Sequence, residues 1–138
     1  MIVVDTGPLV ALLDADDQHH ERCRDWLATT GGPLIVPVPV MVETCYFIER
    51  DGGPELEAQF LDSFKPGGQF ELADLNGDDL DRVAVLVRTY ADLRLGVVDA
   101  SVIAVAERLK LSEVASLDRR HFTVVRPAHV PAFTLVPD

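Results

Sequence analysis

Apolar residues along this chain fall into two patterns. Short apolar runs closed by turn residues occupy positions 2–4, 34–36, 70–72, 114–116, 123–125 and 133–136. Runs of that length read as short, buried strands. Elsewhere the apolar residues recur at helical spacing, in positions 9–13, 17–29, 40–50, 54–64, 79–94 and 98–110. Gly31-Gly32, Gly52-Gly53, Lys65-Pro66-Gly67-Gly68 and Gly96 punctuate these stretches. Pro8 and Pro54 stand early in predicted helices, where the missing N–H has no intrahelical partner to lose. Strands alternating with helices predict an α/β fold: a central, mostly parallel sheet of four to five short strands flanked by helices. No repeat, low-complexity tract or long linker divides the chain, so residues 1–138 are expected to form a single domain. In such sheets sites lie beyond the carboxyl ends of the strands.

Four carboxylates stand where a charge is costly unless something compensates it. Asp5 directly follows the first strand, and Asp118 follows Ala115-Ser116-Leu117. Asp99 follows Gly96-Val97-Val98 at the start of an apolar helix. Glu43 lies inside Val40-Met41-Val42-Glu43-Thr44-Cys45-Tyr46-Phe47-Ile48, the most apolar helix in the chain. Singly, the three aspartates have an ordinary explanation, because an Asp at a helix start or turn caps free N–H groups for about 1 kcal/mol. Glu43 has none: an ionised carboxylate among apolar neighbours needs a cation, a partner or a shifted pKa. Two of the four follow strands, and two sit on helices able to flank the same sheet edge. Carboxylates brought together repel, and a divalent cation relieves the repulsion. Oxygen ligands without a His or Cys cluster favour Mg2+ or Mn2+ over zinc, and ions so bound serve phosphodiester hydrolysis.

Charge narrows the classes. There are 23 acidic and 12 basic residues, a net charge of −11. This argues against a protein held on nucleic acid by bulk electrostatics, which needs a basic surface. A nuclease remains compatible if bound cations and a few local arginines face the substrate. The same charge suits a basic protein partner. Cys23 and Cys45 form neither a disulfide framework nor metal-ligand spacing, and are expected to be small, partly buried hydrophobes in a reducing compartment. No apolar run approaches the roughly 18 residues of a membrane helix, and Met1-Ile2-Val3-Val4-Asp5 lacks a basic n-region. A cytoplasmic protein is expected.

Short motifs sharpen this picture. The opening, Met1-Ile2-Val3-Val4-Asp5-Thr6-Gly7-Pro8-Leu9-Val10-Ala11-Leu12-Leu13-Asp14, resembles that of PIN-domain proteins, particularly VapC toxins, where a hydrophobic strand ends in an aspartate followed by a hydroxyl residue. Val42-Glu43 resembles the family's second acid. Tyr90-Ala91-Asp92-Leu93-Arg94-Leu95-Gly96-Val97-Val98-Asp99-Ala100 is similar to its third motif. Ser116-Leu117-Asp118-Arg119-Arg120-His121-Phe122 is similar to its closing Thr/Ser-x-Asp-x-x-Phe signature. The four motifs occur in family order from Asp5 to Phe122.

The resemblance implies a PIN-like three-layer fold and a Mg2+- or Mn2+-dependent endoribonuclease acting on structured RNA such as a transfer RNA or a ribosomal loop. It makes Asp5, Glu43 and Asp99 core metal ligands and Asp118 a fourth acid, acting directly or through water. Thr6 would support the first carboxylate, and Asp92 would stand behind the site or serve a second metal. Ser116 replaces a more usual Thr and keeps the hydroxyl, whereas Gly7-Pro8 replaces a Ser found in many relatives. Arg119 and Arg120 adjoin Asp118 and are candidates to meet the RNA backbone. Nothing in the sequence places His19, His20 or His121 at the acids, so they are read as surface or packing residues. A homodimer and a cognate VapB-type antitoxin are further implied, with exposed apolar residues on the helices over 40–48 and 56–64 as a groove for it.

Competing readings fit less well. Asp5-Thr6-Gly7 matches the aspartic-protease motif, but that chemistry needs two such loops in an all-β body. A haloacid-dehalogenase-like enzyme wants a second acid where this chain has Gly7. The remaining alternative is a non-catalytic PIN domain serving as scaffold or RNA-binding module. Its usual signature is loss of a core acid, and all four are present.

Overall fold

The computed structural model describes residues 1–138. Ile2, Val3 and Val4 are all buried, as a strand flanked on both edges requires, and form β1 (Ile2–Val4). The chain continues through α1 (Thr6–Leu13), α2 (His20–Thr29), β2 (Leu34–Pro37), α3 (Val38–Gly52), α4 (Pro54–Asp62), β3 (Phe70–Ala73) and α5 (Gly77–Thr89). A single 3-10 turn (Ala91–Leu93) leads to α6 (Val97–Leu109), β4 (Glu113–Ala115), α7 (Arg119–Val124) and β5 (Thr134–Val136).

The five strands form one sheet in the order β3-β2-β1-β4-β5, and every pair is parallel. Val3 lies opposite Ile35 on one side and Val114 on the other. The first three strands therefore step outward from β1 in one direction and the last two in the other. Strand order reverses beside β1, and in open parallel sheets the crevice at such a point is where ligands bind.

The helices cover the sheet according to how much apolar surface each offers. In α6 every residue from Ala100 to Ala106 is buried, which makes it the helix most enclosed by the core. In α3 the buried residues Val40, Thr44 and Ile48 recur every four positions and form the core-facing stripe. A capping box opens α5: the Asn76 side chain accepts from Asp79 N–H (2.8 Å) and the Asp79 carboxylate accepts from Asn76 N–H (3.1 Å). Two ion pairs fasten α5 to α6, Arg108 to Asp79 at 3.0 Å and Arg82 to Glu107 at 2.7 Å. Burial opposes the charge on Glu107, but the Arg82 guanidinium and the Ala128 N–H outweigh it and hold the carboxyl below its usual range. No helix is long and apolar enough to cross a membrane.

Two expected elements differ. Positions 123–125, read as a strand, belong instead to α7 and its end. Three β-branched residues are too few to define a period. Here Phe122, 1% exposed, anchors a helical turn, and the Thr123 hydroxyl bonds back to the Arg119 carbonyl at 2.8 Å. The helix expected over 79–94 starts earlier, at its cap, and stops at Thr89. Arg94, with φ of 56°, ends the following 3-10 turn in the left-handed region.

Candidate active site

Each strand that ends at the reversal point delivers an acid. Asp5 leaves β1 with its N–H bonded to Ala115 O at 2.8 Å, so the backbone ladder extends one residue past the strand and fixes the side chain. One strand over, Ser116 leaves β4, and its hydroxyl lies 3.1 Å from the Asp5 carboxylate, to which it donates. The same oxygen accepts the Asp118 N–H at 3.0 Å, which turns the chain so that Asp118 opens α7. Helices supply the other two. Asp99 sits in the first turn of α6, where the helix dipole favours a carboxylate. In α3 Glu43 and Phe47 form a stripe of their own beside the core-facing one.

These side chains share one cleft of about 740 Å3, lined by Asp5, Thr6, Glu43, Phe47, Asp99 and Asp118 among others. Depth differs within it: Asp5 is 6% exposed, and the side chains of Asp99 and Asp118 are 18% and 52% exposed. Burial and then the charge of Asp99 push the Asp5 carboxyl from 3.8 up to about 7, with Glu43 adding to the rise. The Thr6 backbone and the Ser116 hydroxyl pull the other way without prevailing. The costliest acid is thus Asp5, whereas sequence alone singled out Glu43, which is half-buried on the cleft wall.

The capping explanation for the aspartates is not realised. Asp5 and Asp118 occupy the N-cap positions of α1 and α7, yet neither side chain makes a capping hydrogen bond. Asp99 lies inside its helix rather than at the cap, which is Gly96. Three carboxylates therefore face a shared cleft, and helix ends do not use them. The residues fit a hard divalent cation. Their donors are oxygens, the deepest acid lacks a compensating charge, and the hydroxyl of Thr6, buried beside it, has no hydrogen-bond partner.

Residues 2–126 match the family model described as PIN domain. The chain belongs to the PIN-domain family. This PIN domain is 30% identical over 136 residues to Ribonuclease VapC26 of Mycobacterium tuberculosis, a match covering 99% of this chain and 100% of that protein. It is thereby related to the VapC-type toxin–antitoxin ribonucleases. Its fold is also that of M. tuberculosis VapC20, a sarcin–ricin loop cleaving toxin: TM-score 0.75, 19% identity, 83% of this chain and 87% of that one. A toxin–antitoxin complex from Klebsiella pneumoniae matches with TM-score 0.70 and 16% identity over 97% of this chain and 100% of that one.

The PIN domain brings some sequence-stipulated residues together and leaves others apart. Asp5, Glu43, Asp99, Asp118 and Thr6 line the cleft, and Ser116 stands directly behind Asp5. Asp92 lies exposed in the 3-10 turn and does not line it. Arg119 donates to Pro137 O and so helps tie down the C-terminal strand; Arg120 is exposed.

The reading of His121 as a surface or packing residue is overturned. Its Nδ1 hydrogen-bonds the Asp99 carboxylate and lies 3.6 Å from Asp118. The signal was available, because His121 follows Asp118 by three residues and a helix puts such a pair on one face. It went unused because no helix was expected to start at Arg119. Asp17, a further acid on the cleft wall, comes from the α1–α2 connection and carried no sequence signal.

Proposed function

We propose that this PIN domain is a Mg2+- or Mn2+-dependent endoribonuclease and the toxin of a toxin–antitoxin pair, cutting structured RNA such as a transfer RNA or a ribosomal loop. One observation carries the reading: four carboxylates from four separate elements line one cleft at the reversal of strand order, and none of their side chains makes a capping hydrogen bond. The 30% identity to Ribonuclease VapC26 across the full chain supports the class of reaction.

Asp5, Glu43, Asp99 and Asp118 would hold the cation. When bound, it supplies Lewis acidity and positive charge opposite a phosphate. The chain's own contribution is placement. Ser116 fixes one oxygen of Asp5, the ladder bond at Asp5 N fixes its backbone, and the first turn of α6 fixes Asp99. Phe47, Val97 and Val98 give the cleft an apolar wall, which strengthens electrostatic interactions within it. Thr6 offers a hydroxyl to a ligand in the cleft. Arg120 is the free cation nearest in sequence to Asp118 for an RNA backbone.

The antitoxin belongs to the same proposal. A smaller cleft of about 260 Å3 between α1, α3 and α4 is lined by Val10, Leu13, Phe47, Ile48 and Leu56, and shares Val10 and Phe47 with the acidic cleft. Val42, Tyr46 and Leu61 stand exposed on α3 and α4. A segment seated there leads toward the carboxylates, and the net charge of −11 favours a basic one. The homodimer and the cytoplasmic setting expected from the sequence complete this reading.

The test is to incubate the protein with total RNA and Mg2+ or Mn2+ and to map new ends, beside Asp5→Asn and a chelator. Discrete ends that both controls abolish are expected. Ends that persist in either control would refute the proposal.

A further inference from the structure

An ionised carboxylate only accepts hydrogen bonds, so in the contact between His121 and Asp99 the imidazole Nδ1 carries the proton. The same N–H lies 3.6 Å from the Asp118 carboxylate. One ligand atom from each of Asp99, Asp118 and His121 falls within 4.8 Å of the others. The imidazole thus stands between two acids carried by different elements, α6 and the start of α7, which otherwise face each other with nothing to offset their repulsion. It is well held there. Phe122, the next residue, is 1% exposed in the core, and the imidazole itself is 18% exposed.

We propose that His121 is a positioning residue of the cation site: its Nδ1–H holds one oxygen of Asp99 and draws Asp118 toward it, leaving Asp99's other oxygen for the cation. This rests on the cation site proposed above. Hydrogen bonds to ligating carboxylates fix ligand orientation before the ion arrives. Asp5 has the Ser116 hydroxyl for that purpose, and Asp99 has His121. The ring nitrogen is engaged by the carboxylate and is therefore a donor to the site's ligand.

The experiment is Mn2+ titration at one fixed pH, followed by the electron paramagnetic resonance of free Mn2+, with no RNA present. Wild type is compared with His121→Asn, whose amide nitrogen falls where Nδ1 lies, and with His121→Leu, which has no donor. Expected are affinities within about threefold for wild type and His121→Asn, and a loss of roughly 10–100-fold for His121→Leu. Melting curves without Mn2+ report whether each variant folds. Should His121→Leu not fold, His121→Gln, whose amide reaches to the Nε2 position instead, is expected to show the same loss. Equal affinity for the donor-less or donor-displaced variant would overturn the positioning role alone. So would a directly coordinated imidazole nitrogen in the spectrum of bound Mn2+, or Asn failing to rescue. Absence of Mn2+ binding by the wild type would remove the cation site itself, and the role of His121 with it.

Discussion

Replacing Asp5 by Asn is expected to stabilise the cation-free protein. The carboxyl ionises at 3.8 without the fold and at about 7 within it, first because it is buried and next because Asp99 is near. Between those values the folded state keeps a proton that the unfolded chain has lost, so the fold weakens as pH rises. The penalty is absent below the lower pKa and complete above the upper one. A shift of roughly three units, at about 1.4 kcal/mol each, is on the order of 4 kcal/mol. Asn keeps an oxygen for Ser116 to donate to but brings an amide that must find its own acceptor, so a net gain of about 2 kcal/mol is the working figure. At this chain length that is a rise in Tm of roughly 6–10 °C. The assay is thermal melting of wild type and Asp5→Asn in chelator from pH 4 to pH 8.5. The variant's advantage should be largest at the alkaline end, shrink on acidification and turn into a disadvantage toward pH 4, where only the cost of the amide remains. Saturating Mn2+ should narrow it, because the cation stabilises only the protein that binds it. A variant less stable than wild type at pH 8, or one whose advantage grows on acidification, would overturn the assignment of that penalty to Asp5.

Three other expectations concern the supports of the cleft and of α6. Ser116→Ala removes the hydroxyl that serves both Asp5 and the Asp118 N–H; it should cost about 1–2 kcal/mol in denaturant melts and move the pH midpoint of the Asp5 penalty upward. Glu107→Ala leaves Arg82 and the Ala128 N–H without their acceptor. A loss of about 2–3 kcal/mol is expected at neutral pH. Because the Glu107 pKa is lowered on folding, its stabilisation is present above the ordinary glutamate range and should fade as pH falls below it. Arg119→Ala removes one of the two guanidinium donors to the Pro137 carbonyl, Arg22 being the other, and should lower stability by about 1 kcal/mol or less, with faster amide exchange in β5.

The sheet was legible where burial and turn residues agree. Ile2–Val4 and Leu34–Pro37 are enclosed on both faces, so an unbroken apolar run followed by a polar or prolyl residue marks both the strand and its end. The acid after that end, Asp5, was legible for the same reason. The parallel pairing was legible too, from strands alternating with helices; the strand order was not, since it depends on contacts distant in sequence. Positions 123–125 misled because β-branched residues there serve a short helix pinned by Phe122, and a three-residue window shows no period. With no helix expected over 119–124, nothing in the sequence reading returned His121 to the face of Asp118, three residues earlier. The bond from Arg119 to Pro137 was hidden because its acceptor arrives from the far end of the chain. The depth of Asp5 relative to Glu43 was also hidden, because it is set by which elements close over the cleft and not by the neighbours along either segment.

If the carboxylate cleft holds the cation on which RNA cleavage depends, occupancy of the cleft and cleavage must rise together. The most direct measurement follows both quantities in one titration: Mn2+ bound and rate of cleavage at a mapped RNA site, for wild type and Asp99→Asn. Occupancy and rate should saturate together in the wild type. Asp99→Asn should stay folded and cleave more than about 100-fold more slowly, since loss even of a ligand's supporting partner typically costs 10–100-fold. Cleavage that proceeds in chelator, or that survives Asp99→Asn at the wild-type rate, would contradict the claim.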